Sequence, residues 1–162
     1  MKQVSLFRHA KSSWKYEITD MFRPLNRRGY RDAALMATTT GCFVPDLICC
    51  SPAVRTYSTA LYYLKQLAIP MDKLHLDWAL YEASGQRLFD YLKTLHEGHQ
   101  HIWLFGHNPG LNELVDISTG KEIDNIVTGA IVTLRWQTER WNKLSPKQAV
   151  LGDIKIPPKQ PE

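Results

Sequence analysis

The sequence predicts an α/β fold built around a mostly parallel central sheet. Three observations lead there. Short apolar runs alternate with amphipathic stretches along the 162 residues, as strands alternating with helices require. Asp46–Cys50 and His101–Phe105 are almost continuously apolar, the pattern of strands covered on both faces. And three apolar runs end in a polar residue followed at once by helix-forming sequence, the strand–turn–helix grammar of parallel sheets.

The elements follow in order. Residues 2–7 form the first strand. Asn26 caps a helix running to about Thr40, with Gly41 just past its end. Residues 46–50 form the second strand. Ser51-Pro52 then starts a helix over 53–68, with Pro in its first turn and Val54, Tyr57, Leu61 and Leu64 as its apolar positions. Lys73–Leu76 is a short strand candidate. Ser84 opens a helix over 85–96 with Leu88, Tyr91, Leu92 and Leu95 on one side. Residues 102–106 form a strand, Asn108-Pro109 opens a helix near 110–118, and Gly120 lies just beyond it. Strands at 130–136 and, more weakly, 148–154 complete the pattern. The expected organisation is one domain over 1–154 and a Pro-rich, polar tail, 155–162, that ends outside the core.

Composition narrows the function classes. The chain is 44% hydrophobic, with 5 Trp, 7 Tyr and 5 Phe to fill a core, and its net charge is +4. That charge favours anionic partners, yet Lys and Arg are spread out rather than gathered, which argues against nucleic-acid binding. Strand-like residues begin at Lys2, so no secretory segment is expected. No apolar run nears the ~18–20 residues that span a bilayer. The 3 cysteines are an odd number, and Cys49 and Cys50 are adjacent, which excludes a disulfide framework. A cytoplasmic protein with no membrane partner is expected.

The chemistry resides at the strand ends. Phe7-Arg8-His9, Cys50-Ser51-Pro52-Ala53-Val54-Arg55-Thr56 and Phe105-Gly106-His107-Asn108-Pro109-Gly110 share the strand-to-helix geometry. On one edge of a parallel sheet they can gather Arg8, His9, Arg55 and His107 into a single crevice. Arginine forks suit phosphoryl oxygens, and histidine is a nucleophile or proton carrier near neutral pH. Two cations and two histidines around one point describe a phosphoryl-transfer site, to which the helix after Pro109 adds the partial positive charge of its first turn.

These residues sit in segments that resemble the histidine phosphatase superfamily and, within it, the small phosphohistidine phosphatase (SixA-like) group. The segments are LFRHAKSSW (6–14), DMFRPLNRRGYRDA (20–33), PDLICCSPAVRT (45–56), LYEAS (80–84), FGHNPGLNEL (105–114) and TGAIVTLRW (128–136). They occur in the family's order from residue 3 to about 154. The resemblance implies a three-layer, phosphoglycerate mutase-like fold with helices on both faces of the sheet. It makes His9 the phosphate-accepting nucleophile, Arg8 and Arg55 phosphate ligands, and His107 the second histidine. Ala10 stands where many members have Gly. The chain lacks room for the large helical insert that supplies a proton donor in bigger members.

The implied reaction is phosphatase chemistry through a covalent phosphohistidine, with no metal and no cofactor, because the arginines carry the positive charge. His9 must be neutral at the attacking nitrogen, its other ring nitrogen held as donor by an acceptor such as a backbone carbonyl, with the neighbouring cations keeping it uncharged. A protonated His107 can donate to the phosphoryl group. Glu82 is the candidate acid, its pKa raised by partial burial; the alternative is a carboxylate that only stabilises a helix start. The expected substrate is phosphohistidine in a signalling or phosphotransfer protein. Alternatives are a small phosphorylated metabolite, or a non-catalytic phosphate-binding module on the same fold.

Other patterns compete less well. Cys49-x5-Arg55 has the spacing of cysteine-dependent phosphatases, but Pro52 removes an N–H and no glycine lets the amides converge on an anion. His96-Glu97-Gly98-His99-Gln100-His101 lacks the four-residue histidine spacing of a helical zinc site and reads as a helix-to-strand turn. Trp14 could wall the pocket. Lys11 and Ser12 read as exposed loop residues, with contact to substrate as the alternative, and Trp136 and Trp141 as packed residues beside a hairpin. Arg23, Arg27, Arg28 and Arg31 form either a basic rim for a phosphoprotein or a solvated helix face.

Overall fold

The computed structural model describes residues 1–159. The expected strands pair into one six-stranded sheet: β1 (Lys2–Arg8), β2 (Leu47–Cys50), β3 (Leu74–Leu76), β4 (His101–Gly106), β5 (Ile131–Trp136) and β6 (Val150–Lys155). The order is β3-β2-β4-β1-β5-β6. β3, β2, β4 and β1 run parallel, whereas β5 is antiparallel to both of its neighbours.

Alternation along the strands sorts side chains to two faces. Val4 and Leu6 of β1, with Ile102 and Leu104 of β4, face α3 (Gly85–Leu92) and α4 (Gly110–Thr119), meeting Leu88, Leu92, Leu111 and Leu114. Phe7, Trp103 and Phe105 face the other way, onto α1 (Arg27–Ala37) and α2 (Val54–Leu67), meeting Met36, Tyr63 and Leu64. The Phe7 and Phe105 rings stack at 4.3 Å. The molecule is therefore the three-layer sandwich that the resemblance implies, with no large inserted subdomain among the described residues. Trp136 and Trp141 are both fully buried.

Local chemistry explains the helix boundaries. Asn26 accepts from the Gly29 amide at 2.8 Å and caps α1. Gly41 and Gly120 follow their helices at φ 68° and 70°. α3 is shorter than expected: it stops at Leu92, and residues 93–95 form a turn.

Two expectations need correction at α2. Ala53, not Ser51, precedes its first turn, so Pro52 lies outside the helix. Its buried face is also rotated by one position from the apolar reading. Arg55, Thr56, Thr59, Ala60 and Tyr63 face inward with Leu64, while Val54 and Tyr57 are half-buried and Leu61 is exposed. Polar residues occupy the inner stripe because this helix supports the site: Thr59 Oγ1 accepts from the Ala10 amide at 3.0 Å and donates to the Arg55 carbonyl at 2.7 Å.

The tail also departs from expectation. β6 runs through Lys155, and Pro157 is buried against Gly129, where an added Cβ would approach the proline Cγ to 2.9 Å. The rest of the expected tail, 160–162, lies outside the described residues.

Candidate active site

Sheet register brings the strand ends together. Arg8 pairs with Gly106, and Cys50 with Phe105. The chain leaves both strands still bonded across the sheet: His9 N donates to Gly106 O at 3.2 Å and Ser51 N to Phe105 O at 3.1 Å. From the other side, the Gly129 amide donates to the carbonyls of both Arg8 and His9, at 3.2 and 3.0 Å. Gly129 does this at φ 81°, a conformation open to glycine and strained for other residues. The His9 backbone is thus tied down on both sides.

His9 is buried. Its Nδ1 donates to the carbonyl of Ala10 at 2.7 Å, which leaves Nε2 as the nitrogen with a free lone pair. This matches the expectation of a backbone carbonyl holding the ring. Burial pushes the His9 pKa down to about 3, outweighing the Ala10 bond that favours the charged ring; His107, Arg55 and Arg8 add smaller contributions in the same direction as burial. The neighbouring cations were expected to keep the ring neutral; they assist, but desolvation leads.

His107 lies beside it, with ring centroids 5.4 Å apart. Burial, then Arg55, lowers its pKa to about 4, so the imidazole is neutral in the free protein. Its Nδ1 faces Arg55 Nη2 at 3.4 Å, a donor, so Nε2 carries the hydrogen and donates to Ser51 Oγ at 2.7 Å. A bound phosphate dianion would supply the negative charge that favours protonation.

Both arginines are braced. Arg8 Nη1 donates to Ile126 O at 2.7 Å. Arg55 Nη1 donates to Asp20 O at 2.8 Å and Nη2 to Asp20 Oδ2 at 3.0 Å. The Nε of each arginine is buried without a hydrogen-bond partner among the described residues. Buried unsatisfied donors are costly, and the charges of both guanidinium groups reach His9 and His107, a setting that suits an anion.

Asp20 lines the same site and was not marked by the sequence. Its carboxylate also accepts from Arg23 Nε at 3.0 Å and from the Tyr81 hydroxyl at 2.6 Å. Desolvation is the largest single influence and raises its pKa, but the bonds from Tyr81, Arg23 and Arg55, with the Arg55 charge, together outweigh it and bring the pKa down to about 2. Desolvation, and after it the same carboxylate, raises Tyr81 to about 12. Arg23 corrects a further expectation: it is buried and precedes α1, so it belongs neither to a rim nor to a helix face. It donates to Ser12 Oγ at 2.8 Å, and Ser12, expected exposed, is buried too.

Glu82 lines a cavity of about 390 Å³ with Asp20, Arg55 and His107. It is exposed rather than partly buried and adopts φ 53°, so the burial expected to tune it as an acid is absent. Cys49 and Cys50 are fully buried, and desolvation pushes the Cys49 thiol up to about 12 and Cys50 higher still. Neither is an activated thiolate. Among the described residues, no group of three or more His, Cys, Asp or Glu side chains is placed to hold a metal ion, and His96 and His99 sit in the turn before β4.

A family model, the histidine phosphatase superfamily (branch 1), matches residues 4–104. The chain belongs to this superfamily. No curated protein sequence matches it. Among solved structures, a protein from Agrobacterium tumefaciens assigned as the phosphohistidine phosphatase SixA superposes with TM-score 0.82 at 22% identity, covering 96% of this chain and 98% of that one. The protein histidine phosphatase SixA complexed with tungstate gives 0.81 at 21%, covering 96% and 97%. The alpha-ribazole phosphatase from Shigella flexneri gives 0.73 at 16%, covering 99% of both chains. The histidine phosphatase fold therefore extends over nearly the whole chain. No helix among the described residues is long and apolar enough to cross a membrane.

Proposed function

We propose that this histidine phosphatase removes phosphate from phosphohistidine in a phosphotransfer or signalling protein, by way of a phosphohistidine at His9. The carrying observation is the 2.7 Å bond from His9 Nδ1 to Ala10 O, which presents a neutral Nε2 beside two arginines with unpartnered buried Nε–H groups. Nε2 attacks phosphorus as the bond to the substrate nitrogen breaks, and the departing imidazole takes its proton from water. Water then attacks the phosphorylated His9 and releases inorganic phosphate. Arg8 and Arg55 hold the equatorial oxygens and balance their charge, so the reaction needs no metal. An imidazole leaving group from an already labile bond asks little of an acid, which fits the exposed Glu82; with a poorer leaving group, Glu82 is the carboxyl in the same cavity that would protonate it. A cytoplasmic setting, where unpaired cysteines such as Cys42 persist, completes the reading.

The second reading is a phosphatase of a small phosphorylated metabolite. It is favoured by one observation: the same fold serves an alpha-ribazole phosphatase. One experiment separates the two readings from each other and from a non-catalytic module. A phosphohistidine-bearing protein and p-nitrophenyl phosphate are each incubated, with chelator present, with wild-type protein and the His9→Ala and Cys49→Ser variants. Fast loss of protein phosphohistidine, abolished by His9→Ala alone, is the expected result. Turnover of the ester alone moves the substrate to metabolites. No turnover of either leaves a binding module.

A further inference from the structure

The two histidines of the site are held by different kinds of group. His9 is pinned by a backbone carbonyl, that of Ala10 at 2.7 Å. His107 is held by a side chain: its Nε2 lies 2.7 Å from Ser51 Oγ. Ser51 is completely buried, and no step of the proposed reaction uses it. The sheet puts it there. Ser51 is the first residue past β2 and His107 the first past β4. These strands are neighbours, Cys50 pairs with Phe105, and Ser51 N still donates to Phe105 O at 3.1 Å. Register therefore sets the hydroxyl beside the ring.

Distance separates this bond from two others nearby. Ser51 Oγ also accepts from the Ala53 amide at the start of α2, but at 3.4 Å. Thr56 Oγ1 also reaches His107 Nε2, likewise at 3.4 Å. Only the 2.7 Å contact has the length of a good hydrogen bond. Among the described residues, nothing besides Ser51 and Thr56 bonds Nε2. On the other side of the ring, Nδ1 faces Arg55 Nη2 at 3.4 Å. Arginine only donates, so the lone pair belongs at Nδ1 and the hydrogen at Nε2. An acceptor at Nε2 then serves both charge states. It takes the N–H of the neutral ring, and it takes the same N–H in a stronger, charge-assisted bond once Nδ1 is protonated.

We propose that Ser51 is a positioning residue for His107: its hydroxyl holds the hydrogen at Nε2, so that the ring takes up a proton at Nδ1, on the Arg55 side, when a phosphoryl group binds. This inference rests on the phosphatase reading above for what the proton does. Other groups act on the charge of the ring. Arg55, Arg8 and Arg23 oppose it and Asp20 favours it. The rings of His9 and Tyr81 lie 5.4 and 5.7 Å away, and Glu82 and Glu113 line the same cavity. These groups set how readily the ring becomes charged. The Ser51 bond sets which nitrogen is left to take the proton.

The test is nitrogen NMR of histidine-labelled protein, with and without inorganic phosphate, on wild type and Ser51→Ala, with a thermal melt to confirm folding. The free wild-type protein should show the Nε2–H tautomer of His107, and the phosphate complex should show both ring nitrogens protonated. In Ser51→Ala the pH midpoint of His107 in the phosphate complex should fall by at least one pH unit, tenfold in the ratio of charged to neutral ring. Its kcat/KM for the small substrate phosphoimidazole should fall at least tenfold. An Nδ1–H tautomer in the free wild-type protein would overturn the proposal, and so would a phosphate complex with a neutral His107. A Ser51→Ala protein whose His107 titrates as in wild type would overturn it too, even with activity lost, because the serine would then only shape the turn before α2. If wild-type protein neither binds phosphate nor hydrolyses phosphoimidazole, the phosphatase reading itself fails. The tautomer of the free protein, compared between wild type and Ser51→Ala, then decides the role of Ser51 alone.

Discussion

The Asp20 carboxylate lies 3.0 Å from Nη2 of Arg55. An arginine at the start of α2 is thus held by a residue from the long loop after β1, and the Asp20 carbonyl takes the other Nη at 2.8 Å. Two fixed donors on one side aim the rest of the guanidinium. This loop closure, as much as the sheet edge, completes the pocket.

Asp20→Asn keeps the size and most hydrogen-bonding capacity of the side chain but removes its charge. It should lower kcat/KM for phosphoimidazole by about tenfold, roughly 1.4 kcal/mol of transition-state stabilisation. Tyr81→Phe should cost only a few-fold, because Arg23 and Arg55 still hold the carboxylate. Steady-state kinetics with a thermal-melt control measures both, and an Asp20→Asn protein with unchanged kcat/KM would mean that Arg55 needs no brace.

The pH profile carries a second prediction. His9 and His107 are neutral in the free protein, with pKa values lowered to about 3 and about 4. A nucleophile already neutral at pH 5 gains nothing as pH rises from 5 to 7. With the substrate's own ionisation divided out, kcat/KM should therefore be flat across the ordinary histidine range, and its acid limb should fall below about pH 5. A limb centred near 6.5 would show an unshifted, water-exposed imidazole.

Stability should follow the same groups. His9, His101 and His107 have folded pKa values lowered to about 3, 4 and 4, burial being the leading cause in each. The unfolded chain binds protons at these sites near pH 6.5 and the folded chain does not, so the stability present above pH 6.5 is lost progressively as pH falls toward 4. Each site contributes up to about 1.4 kcal/mol per pH unit, and the half-exposed His101 less. Urea titrations at pH 7 and pH 5 should give a markedly lower midpoint at pH 5.

Cys49 offers a contrast. With its thiol buried and shifted to about 12, iodoacetamide should leave activity intact at pH 7, and Cys49→Ser should retain at least half of wild-type kcat while losing some stability. Inactivation that phosphate prevents would restore the thiolate mechanism.

Much of this site could be read in the sequence, and the parts that could not share a cause. Arg8, His9, Arg55 and His107 each stand at or just after the end of a parallel strand, so once the strands are recognised topology alone gathers them. Asp20, Arg23 and Tyr81 lie on connections, where no periodicity marks a residue and only the closed tertiary structure brings it to its partner. The inner face of α2 was misread for a related reason: an apolar stripe is a sound guide where a helix covers a core, whereas Arg55, Thr56 and Thr59 face inward to serve polar neighbours. Glu82 lines the cavity, but its exposure depends on how the loop before α3 turns at φ 53°, which neighbouring residue types do not reveal.

The central claim is that His9 Nε2 takes the phosphoryl group. Rapid-quench mixing of the protein with excess phosphoimidazole, followed by alkaline digestion and mass spectrometry, tests it most directly. The account predicts an acid-labile, alkali-stable phosphate on the peptide carrying His9, appearing within a single turnover and absent from His9→Ala. Turnover at the wild-type rate in His9→Ala, or phosphate trapped on another residue of the pocket, would contradict it.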